Sequence, residues 1–272
     1  MVDLARPVFG VRGVRHVYRT PSGSVTALDG VDIDVPPGVL TVLAGPSGSG
    51  KSTLLRVLGL LERPTSGRVE LHGRQTAHLS ERERREHRRR IHLVFQEPVT
   101  NLLGYLTVAE NLRAAAQLAG APAPDLGLLE RLGLPGTAGW SVTALSGGQQ
   151  QRLALLTALA AHAEVVLADE PTSQLDEASG RLVTSTLQDL AALGVTVVVA
   201  SHDQAVLDLA PRVIRLLDGR VVEGAAAPDE DVAGSAPSAA LRGPGFDRLP
   251  GSTSRASPRS GRDEPVFGEE PW

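Results

Sequence analysis

The sequence contains no cysteine in its 272 residues. That excludes disulfide staples and thiolate metal sites, and it accords with a reducing compartment. Aromatic residues make up only 3%, so the core must be built from Leu, Val and Ala. No apolar run reaches the roughly 18–20 residues that span a bilayer. The opening Met1-Val2-Asp3-Leu4-Ala5-Arg6-Pro7 lacks the charged-then-apolar order of a secretory leader. Any membrane association is therefore expected to run through a partner. Positive charge is not in excess either: the formal net charge is −4, which argues against a nucleic-acid partner. What is present is ordinary for a globular chain, with 42% apolar residues.

One stretch organises the rest. Val39-Leu40-Thr41-Val42-Leu43-Ala44 reads as a buried strand, and Thr53-Leu54-Leu55-Arg56-Val57-Leu58 reads as a helix. Between them lies Gly45-Pro46-Ser47-Gly48-Ser49-Gly50-Lys51-Ser52-Thr53, a G-x-x-x-x-G-K-[ST] match in the strand–loop–helix setting of a phosphate loop. Glycines let the backbone bend and turn its N–H groups toward phosphate oxygens, and the helix N-terminus adds partial positive charge. Lys51 can reach the β- and γ-phosphates, and the Ser52 hydroxyl can sit on Mg²⁺. A plain Gly/Ser turn before a helix is the weaker alternative, because motif and setting both fit. A nucleoside-triphosphate site is expected here.

Strands alternate with helices along most of the chain, which predicts an α/β fold with a largely parallel sheet. Before the loop, Val14 to Tyr18, Val25 to Leu28 and Val31 to Val35 are expected as three short strands. After it, Ser80-Glu81-Arg82-Glu83 reads as a capping box that opens a charged helix, more simply a solvated face with Glu–Arg pairs than a nucleic-acid surface. The segment 97–160 is rich in Ala and Leu and reads as an inserted helical subdomain. From 225 to 272 the composition turns to Gly, Pro, Ser and Ala without apolar periodicity, and a disordered tail is expected.

Further residues narrow the chemistry. Val165-Val166-Leu167-Ala168 is an apolar strand that ends in Asp169-Glu170. Asp169 is placed to hold Mg²⁺, and Glu170 to orient or deprotonate an attacking water. Gln96 ends another strand and has a carbonyl for Mg²⁺ and water. His202 comes after Ser201 at the end of a third and has reach toward a γ-phosphate. Leu145-Ser146-Gly147-Gly148-Gln149 opens a long helix. Alone, a strand-end Gln or His is more often structural.

Together and in this order, residues 8–224 resemble the ATP-binding cassette family, specifically its transporter ATPase subunits. The run Leu145 to Gln149 matches that family's signature sequence. The resemblance implies a phosphate-loop NTPase core of RecA type, an antiparallel β subdomain and a helical subdomain. It implies ATP and Mg²⁺ as ligands, with Tyr18 stacking on adenine, Gln96 as the Q-loop, Glu170 as the catalytic carboxylate and His202 as the switch histidine. It implies head-to-tail pairing with a second ATP-binding subunit. There Ser146, Gly147, Gly148 and Gln149 of one copy face the nucleotide held by Gly45 to Thr53 of the other. It also implies a transmembrane permease as partner, and a peripheral place on the cytoplasmic side of the membrane. Val25 to Val31, Gly45 to Leu55, and Asn101-Leu102-Leu103 ahead of Leu106 to Asn111 are similar to the branch serving lipoprotein release and macrolide export. Leu156-Thr157-Ala158 and Gln174 depart from that branch without removing a catalytic group. The rival is a soluble mechanical cassette acting in DNA repair, chromosome handling or translation. A single phosphate loop, no cysteine and no heptad run weigh against it.

Overall fold

A computed structural model describes residues 6–21 and 23–222, all within one unit, Asp3–Leu241. The expected tail at 225–272 lies outside the described residues. Strand β1 (Phe9–Thr20) pairs antiparallel with β2 (Gly23–Val35). Two strands were expected where β2 runs unbroken. Gly30 takes φ 78, and the register shifts between the Val14–Val31 and Arg15–Asp29 pairs. A bulge therefore carries the strand through the turn-like Asp29-Gly30 pair. Then come β3 (Leu40–Ala44), α1 (Lys51–Leu58), β4 (Ser66–Leu71) and β5 (Arg74–Gln75). β2, β1, β4 and β5 make one four-stranded antiparallel sheet.

Next along the chain are α2 (Glu81–Arg88), β6 (Ile91–Val94), α3 (Val108–Ala119), α4 (Gly127–Arg131), α5 (Gly147–Ala160) and β7 (Val165–Asp169). The chain then runs through α6 (Glu177–Ala192), β8 (Thr196–Ser201), α7 (Gln204–Asp208), β9 (Arg212–Leu217) and β10 (Arg220–Val222). The second sheet has the order β10-β9-β3-β8-β7-β6 and is parallel except for the terminal β9–β10 hairpin. Strands buried on both faces read as continuous apolar runs, and β3 and β8 are buried at every residue. Helix α1 contributes Leu54, Leu55, Val57 and Leu58 to one core that also holds Phe9, Val31 and Val69 of the first sheet and Leu43, Leu167 and Val198 of the second. The phosphate-loop helix thus ties the two sheets together.

Among the described residues, no strand lies between β6 and β7. Helix α3 starts at a Thr107–Glu110 capping box and stops at Gly120, which takes φ 72. Helix α2 starts at the expected Ser80–Glu83 capping box. Its outer arginines pair with acids, as Arg88–Glu81 at 2.8 Å and Arg89–Glu86 at 3.6 Å. Arg84 departs from the solvated-face expectation. It is 3% exposed and donates to the Leu60 carbonyl at 2.6 Å. Arg88 donates to the same carbonyl at 3.0 Å. Leu60 has φ 57 just beyond α1, so two guanidinium groups close the end of that helix.

Helices α5 and α6 approach closely where Gly148 meets Ser179. A Cβ on Gly148 would lie 2.7 Å from the Ser179 Cβ. Gly148→Ala is expected to force the helices apart and cost about 1–3 kcal/mol of stability, read by chemical denaturation. Ser179→Gly in the same chain should recover part of that loss, because the two substitutions share one contact.

Candidate active site

The phosphate loop is shaped from behind by the β9–β10 hairpin. Gly45 takes φ 152, and a Cβ there would sit 2.2 Å from the Leu216 carbonyl oxygen. Gly219 N–H donates to the Ser49 carbonyl at 3.1 Å. Gly50 takes φ 101 as the N-cap of α1, with the Ala27 carbonyl 2.4 Å from where a Cβ would stand. Pro46, Ser47 and Gly48 lie exposed at the tip, while Ser49, Lys51 and Thr53 are buried. The Lys51 ammonium donates to the carbonyls of Gly45 and Pro46 at 2.8 and 3.0 Å. It is also 3.5 Å from Glu170 Oε1.

Parallel register brings the other groups to the same place. Ala44 pairs with Ser201, Asp169 with Ala200, and Val94 with Ala168. The four strand ends therefore lie on one edge of the sheet. Ser52 Oγ donates to Asp169 Oδ1 at 2.9 Å. Burial raises the Asp169 carboxyl above its ordinary value, the Ser52 hydrogen bond works against that, and neighbouring Glu170 adds to it. Glu170 has φ 46, a strained region for a side-chain-bearing residue, and its N–H is held by the Ala200 carbonyl at 2.9 Å. His202 Nδ1 lies 3.0 Å from the Glu170 carboxylate, and its side chain is 68% exposed. Gln96 Nε2 donates to Ser173 Oγ at 3.1 Å, and Ser173 Oγ donates to the Glu170 carbonyl at 3.0 Å. Lys51, Ser52, Asp169, Glu170 and His202 thus form one cluster, with Gln96 attached through Ser173. Ser173 opens Ser173-Gln174-Leu175-Asp176, which by resemblance is the family's D-loop, and sequence order carries no sign of its bridging role.

Tyr18 stands beside the start of α1. Its hydroxyl donates to Glu62 Oε2 at 2.6 Å and lies 3.4 Å from Thr53 Oγ1. Ser146 caps α5: its Oγ accepts from Gln149 N–H at 3.3 Å, while its own N–H donates to Gln149 Oε1 at 2.9 Å. Ser146 and Gly147 are exposed. Among the described residues, the hydrogen bonds of Ser146 and Gln149 stay within this cap and α5 and do not reach the Lys51 cluster.

A family model described as ABC transporter matches residues 28–173. The chain belongs to the ABC transporter family. Its cassette is 42% identical over 236 residues to the macrolide export ATP-binding/permease protein MacB of Burkholderia pseudomallei (strain 1710b), covering 83% of this chain and 35% of that protein. It is 38% identical over 253 residues to a probable export ATP-binding/permease protein of Pseudomonas fluorescens, covering 90% and 38%. The chain thus spans little more than a third of these relatives' length. The dimeric post-hydrolysis structure of the ATP-binding cassette MJ0796, bound to ADP and phosphate, superposes with a TM-score of 0.68 at 34% identity, covering 79% of this chain and 97% of that one. The cbiO1 protein of Clostridium perfringens, part of the transporter complex cbiONQ, superposes at 0.70 with 25% identity, covering 81% and 88%. The phosphate-loop NTPase fold and the resemblance to cassette ATPases are both borne out.

Within this cassette, the Ser52 hydroxyl and the Asp169 carboxylate offer two adjacent hard oxygen donors. That suits Mg²⁺, which is held by one or two protein oxygens plus phosphates rather than by an all-protein cage. No group of three or more His, Cys, Asp or Glu side chains that could hold a metal occurs among the described residues. The raised Asp169 value has a defined sign for stability. The folded state holds the proton to higher pH than the unfolded chain, so stability falls as pH rises through that range and Asp169 ionises. Asp169→Asn is therefore expected to raise the unfolding midpoint of the nucleotide-free protein at neutral pH. The same variant should lose the added stability that MgATP gives the parent, about 2.7 kcal/mol at a hundredfold excess over Kd. Thermal denaturation with and without MgATP reads both effects.

Proposed function

We propose that the cassette binds and hydrolyses MgATP, and that hydrolysis drives a separate transmembrane permease. The observation that carries the chemistry is Glu170 standing between Lys51 and His202, one residue beyond Asp169. Lys51 offsets charge on the β- and γ-phosphates. Ser52 and Asp169, with the carbonyl of Gln96, would hold Mg²⁺, which would supply positive charge against the β- and γ-phosphates. Glu170 accepts a proton from the attacking water as its oxygen bonds to the γ-phosphorus and the bond from that phosphorus to the β-phosphate oxygen breaks, giving ADP and phosphate. His202 orients the Glu170 carboxylate and contacts the γ-phosphate. Gly45 to Thr53 wrap the phosphates with backbone N–H groups, and Tyr18 stacks on the adenine.

A second ATP-binding subunit completes the site. Ser146, Gly147, Gly148 and Gln149 start a helix, and their N–H groups and helix dipole suit an anion. They lie outside the Lys51 cluster of their own chain, so the nucleotide they serve belongs to the partner copy. Glu170→Gln keeps size and hydrogen bonding but removes the base. It should bind ATP, lose at least about a hundredfold in turnover, and accumulate as an ATP-bound dimer in size-exclusion chromatography. Normal turnover would assign the base elsewhere.

The permease contact is assigned to a groove of about 380 Å³ between α2 and α3. Leu103, Ala115 and Leu118 give it an apolar side, and Arg85, Arg88 and Arg89 a basic one. Leu118 is 75% exposed and Tyr105, on the adjoining loop, 83%. The segment after Gln96 carries five apolar residues whose pattern suggests an exposed docking surface: Val99, Leu103 and Tyr105 are exposed, Leu106 is half-buried and Leu102 is buried at 7%. Among the described residues no helix is long and apolar enough to cross a membrane. The occupant proposed is a short cytoplasmic segment of the permease that is apolar on one side and acidic on the other. The likeness to export-type relatives supports a permease of the lipoprotein-release and macrolide-export branch. Attachment on the cytoplasmic side of the membrane would come through this contact. Leu103→Asp with Leu118→Asp should leave the Kd for ATP within about twofold and abolish co-purification with the permease. Continued co-purification would place the contact elsewhere. Full function with no membrane partner would favour the soluble mechanical reading.

A further inference from the structure

The turn after α1 carries a carboxylate that the phosphate chemistry does not use. Glu62 Oε2 accepts the Tyr18 hydroxyl at 2.6 Å and lies 3.3 Å from His16 Nε2. Its other oxygen faces Arg56 NH1 at 3.7 Å. His16 is 8% exposed, and its Nδ1 is buried with no hydrogen-bond partner. A buried lone pair is less costly than a buried unpaired N–H, so the tautomer that donates through Nε2 to Glu62 fits both facts. The His16 ring meets the Tyr18 ring edge-on, with centroids 4.6 Å apart at 73°. Burial and the Glu62 contact both raise the Tyr18 hydroxyl above its ordinary value, so it stays a protonated donor.

Glu62 is itself held in place. Its N–H and that of Leu61 both point to the Arg56 carbonyl, at 3.3 and 2.9 Å. The Leu60 carbonyl just before it takes two guanidinium donors, from Arg84 and Arg88. The turn is therefore fixed by α1 on one side and α2 on the other. Tyr18 in turn is fixed at its hydroxyl by Glu62 and at one ring edge by His16. A tyrosine without such partners has to give up rotamer freedom when a base stacks on it, and that loss weakens binding.

We propose that Glu62 is a positioning residue for the nucleotide base: with His16 it holds the Tyr18 ring against the start of α1, ready to stack. This rests on the reading of Tyr18 as the base-stacking aromatic. It concerns base affinity, since among the described residues the hydrogen bonds and ion pairs of the Glu62 side chain go to Tyr18, His16 and Arg56 and not to the Lys51–Glu170 cluster.

The test compares Glu62→Leu, Glu62→Gln and Tyr18→Ala in the full chain. Glu62→Leu should raise KM for ATP roughly three- to tenfold with kcat within about twofold. Glu62→Gln, which keeps an acceptor for the Tyr18 hydroxyl, should stay close to the parent. Inorganic tripolyphosphate has no base, so its inhibition constant should not change in Glu62→Leu. In the Tyr18→Ala background, Glu62→Leu should add nothing further. Equal weakening of ATP and tripolyphosphate would overturn the proposal and make Glu62 a structural support of the phosphate loop. An unchanged KM in Glu62→Leu, alongside a raised KM in Tyr18→Ala, would overturn it while leaving the stacking role intact. An unchanged KM in Tyr18→Ala would overturn the stacking role and the proposal with it.

Discussion

The parallel register of β3, β8, β7 and β6 is the constraint on which the site depends. Strands running the same way release their chain at the same edge, so the loops beyond them are neighbours whatever their distance in sequence. Ala44, Ser201, Asp169 and Val94 are the last residues of those strands, and the groups just beyond them include Lys51, His202, Glu170 and Gln96. A slip of one residue would turn each side chain to the other face of the sheet. That slip is resisted because β3 and β8 are buried throughout. The apolar strands that contribute nothing to the chemistry thus set its geometry.

This explains which parts were legible in the sequence. Continuous runs such as Val165 to Ala168 and Thr196 to Ala200 announce strands buried on both faces, and the glycine-rich motif announces the phosphate loop at the end of β3. The Ser80 capping box is a local pattern and stands where the pattern puts it, and the helices expected to open near Thr107 and Ser146 do so at capping boxes of the same kind. What escaped depends on contacts distant in sequence. Arg84 belongs to a run of charge that reads as solvated, yet the carbonyl at Leu60 draws it inside. Leu102 looks like its exposed neighbours but is covered. Ser173 holds Gln96, and Glu62 holds Tyr18, across separations of 77 and 44 residues. The left-handed backbone of Glu170 also has no local signal, since it is imposed by the Ala200 carbonyl on the neighbouring strand.

The centre of the site is costly to maintain. Two carboxylates are adjacent in sequence, one of them raised by burial, with Lys51 the buried cation in contact with the pair's second member. Strain at Glu170 adds to this. Such an arrangement is stable only because the sheet behind it is over-determined, and a divalent cation beside Asp169 would relieve its least favourable term. Binding free energy and folding free energy are then linked through the same carboxylate.

The links that leave this centre differ in strength, and the difference bears on what can move. Helix α2 lines the groove through Arg85, Arg88 and Arg89, and it fixes the turn that carries Glu62 through Arg84 and Arg88. Those are charged donors, one of them almost wholly buried, and hydrogen bonds of that kind are worth about 1.5–3 kcal/mol each. Gln96 is exposed and reaches Ser173 through one neutral hydrogen bond of 3.1 Å, worth nearer ~1 kcal/mol. A segment seated in the groove meets a rigid strut on the α2 side, whereas Gln96 lies outside the groove's lining and keeps a weak, breakable contact. Coupling requires an element with two arrangements of similar energy. Of the two links, the single neutral hydrogen bond from Gln96 to Ser173 is the less costly to rearrange. The turn that holds Tyr18 is thus fixed by the rigid route, while Glu170 is reached by the adjustable one.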